Sequence, residues 1–147
     1  MPRHLPGTAF YNRHQKNTFT AMKIHAGLLP SMVMPRNQKN VSQQLVTGTC
    51  RTAGNVSAAV YAEENGSLIK NLPNCGKAAK GRFSARLDGI PCGGPYRIEL
   101  SIQDEKLLVS DVLVGDLWIL GGQSNMQGAG YITGKRLNTE NRLRAYY

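Results

Sequence analysis

Acidic residues are missing from the first part of this chain: no Asp or Glu precedes Glu63, whereas seven of the 18 Lys and Arg do. The net charge of +9 is therefore mostly a property of the amino-terminal part. Cysteine is sparse. Cys50, Cys75 and Cys92 stand far apart without a C-x-x-C pair, which excludes a zinc ribbon or a thioredoxin-type motif, and an odd number speaks against a disulfide framework. No metal-ligand spacing occurs anywhere. No apolar run approaches the roughly 20 residues of a membrane-spanning helix. The first residues also lack the apolar core of a secretory signal, because Tyr11-Asn-Arg-His-Gln-Lys-Asn stands where it belongs.

What is present suits a foldable chain. The 147 residues are 41% hydrophobic and 18% charged, which allows one ordinary domain, or a small domain and part of another. Its basic residues are scattered singly, as in Arg3, Arg13, Lys16 and Lys23. A nucleic-acid surface calls for clusters or interleaved aromatics, so solvated surface is the expected role, with neither nucleic acid nor membrane as partner.

Residues 1–26 are polar, carry prolines and show no sustained period, so they read as a tail or linker. From Gly27 the pattern turns to strands. Gly27-Leu-Leu-Pro-Ser-Met-Val-Met-Pro-Arg-Asn suits an edge strand with a bend. Gln44 to Cys50 is a strand candidate, and Val56, Ala58 and Val60 share one side of the next, before an Asn65-Gly66 turn. Phe83, Ala85 and Leu87 alternate with Arg82, Ser84 and Arg86, as do Tyr96, Ile98, Leu100 and Ile102 with Arg97, Glu99 and Ser101. Period two over such lengths means half-buried antiparallel strands. Turns are expected at Asp88-Gly89 and at Gly93-Gly94-Pro95. These signals predict an immunoglobulin-like antiparallel β-sandwich over residues 27–112.

The alternation then breaks. Val112-Leu-Val-Gly-Asp-Leu-Trp-Ile-Leu is nearly all apolar, as in a strand buried on both faces, and Trp118 is expected in the core. It runs into Gly121-Gly-Gln-Ser-Asn-Met-Gln-Gly, and a buried strand followed by a Gly-rich turn predicts the start of an α/β unit over residues 113–147. Arg142-Leu-Arg-Ala-Tyr-Tyr is the next strand candidate. Ser124 is the candidate nucleophile, since a serine at such a corner presents its hydroxyl beside backbone N–H groups that stabilise an oxyanion. The G-x-S-x-G elbow is not matched, because Met126 stands at its last glycine. A polar loop with Ser124 or Asn125 as helix cap fits the spacing equally. Gln123 and Asn125 either contact substrate or pin the turn.

The stretch Asp111-Val-Leu-Val-Gly-Asp-Leu-Trp-Ile-Leu-Gly-Gly-Gln-Ser-Asn-Met-Gln-Gly resembles the nucleophile block of the sialate O-acetylesterase-type branch of the SGNH (GDSL-like) hydrolases. Ser31-Met-Val-Met-Pro-Arg-Asn, Ile90-Pro-Cys-Gly-Gly-Pro-Tyr-Arg-Ile-Glu-Leu and Arg142-Leu-Arg-Ala-Tyr-Tyr are similar to further segments of that branch. The resemblance implies a sandwich accessory domain followed by the first strands of an α/β/α SGNH domain. It implies hydrolysis of O-acetyl esters on sugars through Ser124, whose own N–H is one oxyanion donor, with no metal or organic cofactor and with action outside the cytoplasm, secreted or periplasmic. The base histidine of the branch belongs to an Asp-x-x-His pair that this sequence does not contain. His4, His14 and His25 all precede the nucleophile block, so the expectation is an amino-terminal fragment, inactive alone. Two other classes stay open: a non-catalytic β-sandwich module that binds glycan or a partner protein, and a basic nucleic-acid binder.

The sequons at Asn40, Asn55 and Asn65 matter only in a eukaryotic secretory setting. Cys50 and Cys92 either face each other across the sandwich or stay free as small hydrophobes.

Overall fold

A computed structural model describes residues 22–123, 134 and 140–145. Eight strands follow in chain order: β1 (Lys23–Ala26), β2 (Val33–Pro35), β3 (Val41–Thr49), β4 (Gly54–Ala62), β5 (Leu68–Ala79), β6 (Arg82–Pro91), β7 (Gly93–Ile102) and β8 (Glu105–Gly115). They form one sheet in the order β1-β3-β6-β5-β4-β7-β8-β2. Every pairing is antiparallel except β2 with β8, which is parallel. The sheet curls until its ends approach. Arg36, just past β2, bridges Ser42 of β3, and β3 also nears β8.

The curl follows from the period-two pattern. Phe83, Ala85 and Leu87 of β6, and Tyr96, Ile98, Leu100 and Ile102 of β7, are buried. Val56, Ala58 and Val60 of β4 join them in one core with Met34, Val46 and Val112. One apolar face per strand can leave water only if the sheet folds over itself. Two halves result, joined through β5. That strand pairs with β4 from Leu68 to Ala78 but with β6 only from Gly76 to Ala79.

β5 has no counterpart in the periodicity. Its register against β4 jumps from Val56↔Gly76 to Ala58↔Leu72, so Pro73, Asn74 and Cys75 form an irregular bulge that erases the alternation. The expected Asp88-Gly89 turn lies inside β6 instead. Gly89, at φ +74°, is skipped between Gln43↔Asp88 and Ser42↔Ile90. It is a bulge residue in the left-handed region that glycine tolerates. Gly93-Gly94-Pro95 likewise opens β7 after a turn at Cys92. β1 lies within the stretch read as a tail; residues 1–21, His4 and His14 among them, lie outside the described residues.

The expected α/β/α portion is overturned. Among the described residues the fold is all β, and none after Gly115 is in a strand or helix. The run Val112-Leu113-Val114 is buried on both faces, at 0%, 4% and 3% exposure. It belongs to β8, antiparallel to β7 and flanked by β2, not to a parallel α/β sheet. Asp111, at φ +58°, interrupts the alternation in β8, and the β7 register shifts opposite it, so the apolar run is a product of irregular pairing. Beyond Gly115 the apolar residues face solvent. Trp118 is 82% and Ile119 98% exposed, so Trp118 is not a core residue. Residues 142–145 form no strand, and Leu143 is exposed; Tyr146 and Tyr147 lie outside the described residues.

Candidate functional site

The segment carrying the serine motif leaves the end of β8, and that exit is held from two sides. The Arg36 backbone N–H donates to the Gly115 carbonyl at 2.9 Å. Its guanidinium forks onto Asp116, with Nε to Oδ1 at 2.8 Å and Nη2 to Oδ2 at 3.1 Å, and Nη1 donates to Asn40 Oδ1 at 2.5 Å. A planar guanidinium matched to a carboxylate fixes direction as well as distance. Arg36, just past β2, thereby holds the start of the segment that leaves at Leu117.

The second hold is at Asp111. Arg144 Nη2 donates to Asp111 Oδ1 at 2.5 Å, and the Asp111 amide donates to Glu63 Oε1 at 2.8 Å. Hydrogen bonding from the Ser31 side chain, then from Arg144, holds the Asp111 carboxyl below the usual carboxylate range. Asp116 is thus held at the end of β8, and Arg144 is tied back to Asp111 within β8. Gln123 is exposed. Ser124 and Asn125 lie outside the described residues. His25 lies on β1, where its Nε2 pairs with Thr49 Oγ1 at 3.2 Å.

A polar groove of about 590 Å³ opens beside this exit. Asn37, Gln38 and Lys39 from the turn after β2 face Gln43, Lys70 and Asp88 across it. Such amide, ammonium and carboxylate groups offer donors and acceptors to a hydroxylated ligand. Arg36 and Asp116 are 80 residues apart, and no local pattern announces their pairing.

Glu105 was equally invisible. At 4% exposure it is the one buried charged residue among the described residues. It accepts the Arg51 and Thr52 amides at 2.9 and 2.6 Å, and the Thr52 hydroxyl. These bonds, the Thr52 hydroxyl first, hold its carboxyl below the usual range. The β3–β4 crossover is pinned by it to the start of β8. Cys50, Cys75 and Cys92 are free thiols; Cys50 is buried and Cys92 exposed, so the pair is not a disulfide across the sandwich.

No protein-family model matches the chain. It is 31% identical over 94 residues to the sialate O-acetylesterase of Rattus norvegicus, covering 61% of this chain and 17% of that protein. Among solved structures it is similar to a carbohydrate acetylesterase from Xanthomonas citri. That match has 28% identity and a TM-score of 0.42, over 71% of this chain and 21% of the other. The chain therefore spans only a small part of each relative. The sequence similarity is thus to a sialate O-acetylesterase over part of each chain.

Proposed function

We propose that this chain serves an acetylesterase-like function on carbohydrate, with Ser124 as the nucleophile and Gln123 and Asn125 flanking it. The observation that carries the reading is the Gly121-Gly122-Gln123-Ser124-Asn125 motif, which follows a strand end clamped by the Arg36–Asp116 pair. Similarity to a sialate O-acetylesterase supports the same reading. In this reaction Ser124 Oγ attacks the acetyl carbonyl carbon while a base takes its proton. The oxyanion accepts a hydrogen bond from the Ser124 amide, and the sugar hydroxyl leaves with a proton returned by the base. Water then releases acetate from the acyl-serine by the same two steps.

His25 is engaged with Thr49, and the resemblance assigns the base to an Asp-x-x-His pair outside this sequence. Fluorophosphonate labelling tests the proposal on the 147-residue chain, alone and joined to a segment supplying that pair. Labelling and acetate release are expected only in the joined form, and Ser124→Ala abolishes both. Absence of labelling in both forms, or labelling at another residue, refutes Ser124 as nucleophile.

A second reading, a glycan-binding β module without catalysis, is favoured by the polar groove at Asn37, Gln43 and Asp88. It requires sugar binding that Ser124→Ala leaves unchanged and no acetate release in the joined form.

A further inference from the structure

The opposite margin of the sheet carries a second groove, of about 580 Å³, on the outward faces of β1, β3, β5 and β6. Register builds it. Ser84 pairs with Thr47 on one side and Lys77 on the other, and Arg82 pairs with Thr49 and with Ala79. Residues two apart on a strand share a face, so the hydroxyls of Thr47, Thr49 and Ser84 lie on one face with Lys77 and Arg82, and Ser84 neighbours both cations. His25 borders the patch from β1, tied to Thr49. Diagonal neighbours of this kind lie roughly 7–8 Å apart, close enough for one small anion to meet both cations.

The floor is rigid. A Cβ on Gly48 would come within 2.1 Å of the Lys23 carbonyl oxygen and 2.5 Å of the Phe83 ring, so glycine here lets β1 and the buried ring close against β3.

The charge is one-sided. No Asp or Glu lines the groove, and among the described residues neither Lys77 nor Arg82 enters an ion pair. Arg86, one step along β6, is neutralised by Asp88 at 3.2 Å. Two cations without an ion pair among the described residues, beside three hydroxyls, are arranged for a ligand that carries carboxylate and hydroxyl groups. Arg82 supplies a fork for the carboxylate, Lys77 a point charge, and the hydroxyls meet sugar oxygens. No Phe, Tyr or Trp ring among the described residues is offered for base stacking, since Phe83 is 3% exposed beneath the floor, and the one imidazole on the rim, His25, is tied to Thr49. A single-stranded nucleic acid site needs such platforms.

We propose that this groove, at the end of β3 away from the exit of β8, binds an acidic sugar through its carboxylate. The sugar half of the assignment rests on the carbohydrate reading above; the anion half rests on the groove alone. The experiment is titration calorimetry of the full chain with trigalacturonate and with its neutral methyl ester, repeated for Arg82→Gln, Lys77→Gln and Arg82→Lys. The free acid is expected to bind at least about ten-fold more tightly than the ester, with about ten-fold lost in each glutamine variant, the scale of one charge-assisted bond. Arg82→Lys keeps the charge but not the fork and falls between. Unchanged melting temperatures show that the variants remain folded.

Equal binding of acid and ester, or variants that bind as the parent does, overturns the proposal. So does an oligodeoxythymidine that binds more tightly than trigalacturonate, or inorganic phosphate that matches it. Because Ser124→Ala should leave this binding intact, the site stands even where the labelling experiment on Ser124 fails.

Discussion

Replacing Glu105 should expose how the crossover from β3 to β4 is held. Its side chain accepts the Arg51 amide, the Thr52 amide and the Thr52 hydroxyl, and Arg51 Nε approaches its other oxygen at 3.6 Å. Glu105→Ala leaves two backbone donors and a hydroxyl without an acceptor in a partly buried place. At ~1–3 kcal/mol for each unsatisfied group, partly relieved by water, the expected loss is about 3–5 kcal/mol. Glu105→Gln keeps the shape and one acceptor oxygen but not the charge, and should cost only about 1–2 kcal/mol.

The pH dependence separates charge from shape. The folded state holds the Glu105 carboxyl below its ordinary value, chiefly through the Thr52 hydroxyl. Its charge-dependent stabilisation is therefore fully present above the unfolded value of about 4.3 and is lost as pH falls through the folded one. Urea unfolding at pH 7 and at successively lower pH, with parent and Glu105→Gln side by side, cancels the other carboxylates. The gap between the two proteins should narrow below about pH 4.3. A gap that stays constant to pH 3, or an alanine variant as stable as the parent, would refute the argument that a buried charge pins the loop.

Phe83→Ala, which removes a buried ring packed against Gly48, should lower the unfolding free energy by ~3–5 kcal/mol; an unchanged urea midpoint would remove Phe83 from the core. Trp118 is the single tryptophan and is 82% exposed, so its fluorescence should be fully open to acrylamide quenching in the folded chain, whereas protection would show that 117–120 is covered. Arg36→Gln breaks the fork to Asp116, yet the partners are 34% and 50% exposed, so the urea midpoint should barely move. Amide exchange over 117–123 should accelerate nonetheless, and exchange at the parent rate would show that the pair does not hold the exit of β8.

Alternation in β6 and β7 was legible in the sequence, because one wet and one dry face per strand needs no knowledge of the partner. The buried sets at Phe83–Leu87 and Tyr96–Ile102 are those the alternation names. Bulged strands were not legible. In β5 the irregular Pro73-Asn74-Cys75 stretch has its reason in pairing with β4, and in β8 the apolar run Val112–Val114 owes its burial to β2 and β7 on either side. The same run followed by glycines suggested a parallel α/β strand, since apolar composition records burial without recording the neighbour that causes it.

The chemical motif divides in the same way. Gly121-Gly122-Gln123-Ser124-Asn125 can be read in the chain because it is contiguous. Groups assembled from distant segments cannot: Arg36 with Asp116, Glu105 with Arg51 and Thr52, and Lys77 with Arg82 around Ser84. Sequence alone determined which faces avoid water and where the contiguous serine motif stands, since both depend on a residue and its near neighbours. Only the tertiary structure decided which strands meet and which charges are paired or left free, because those follow from the curl of the whole sheet.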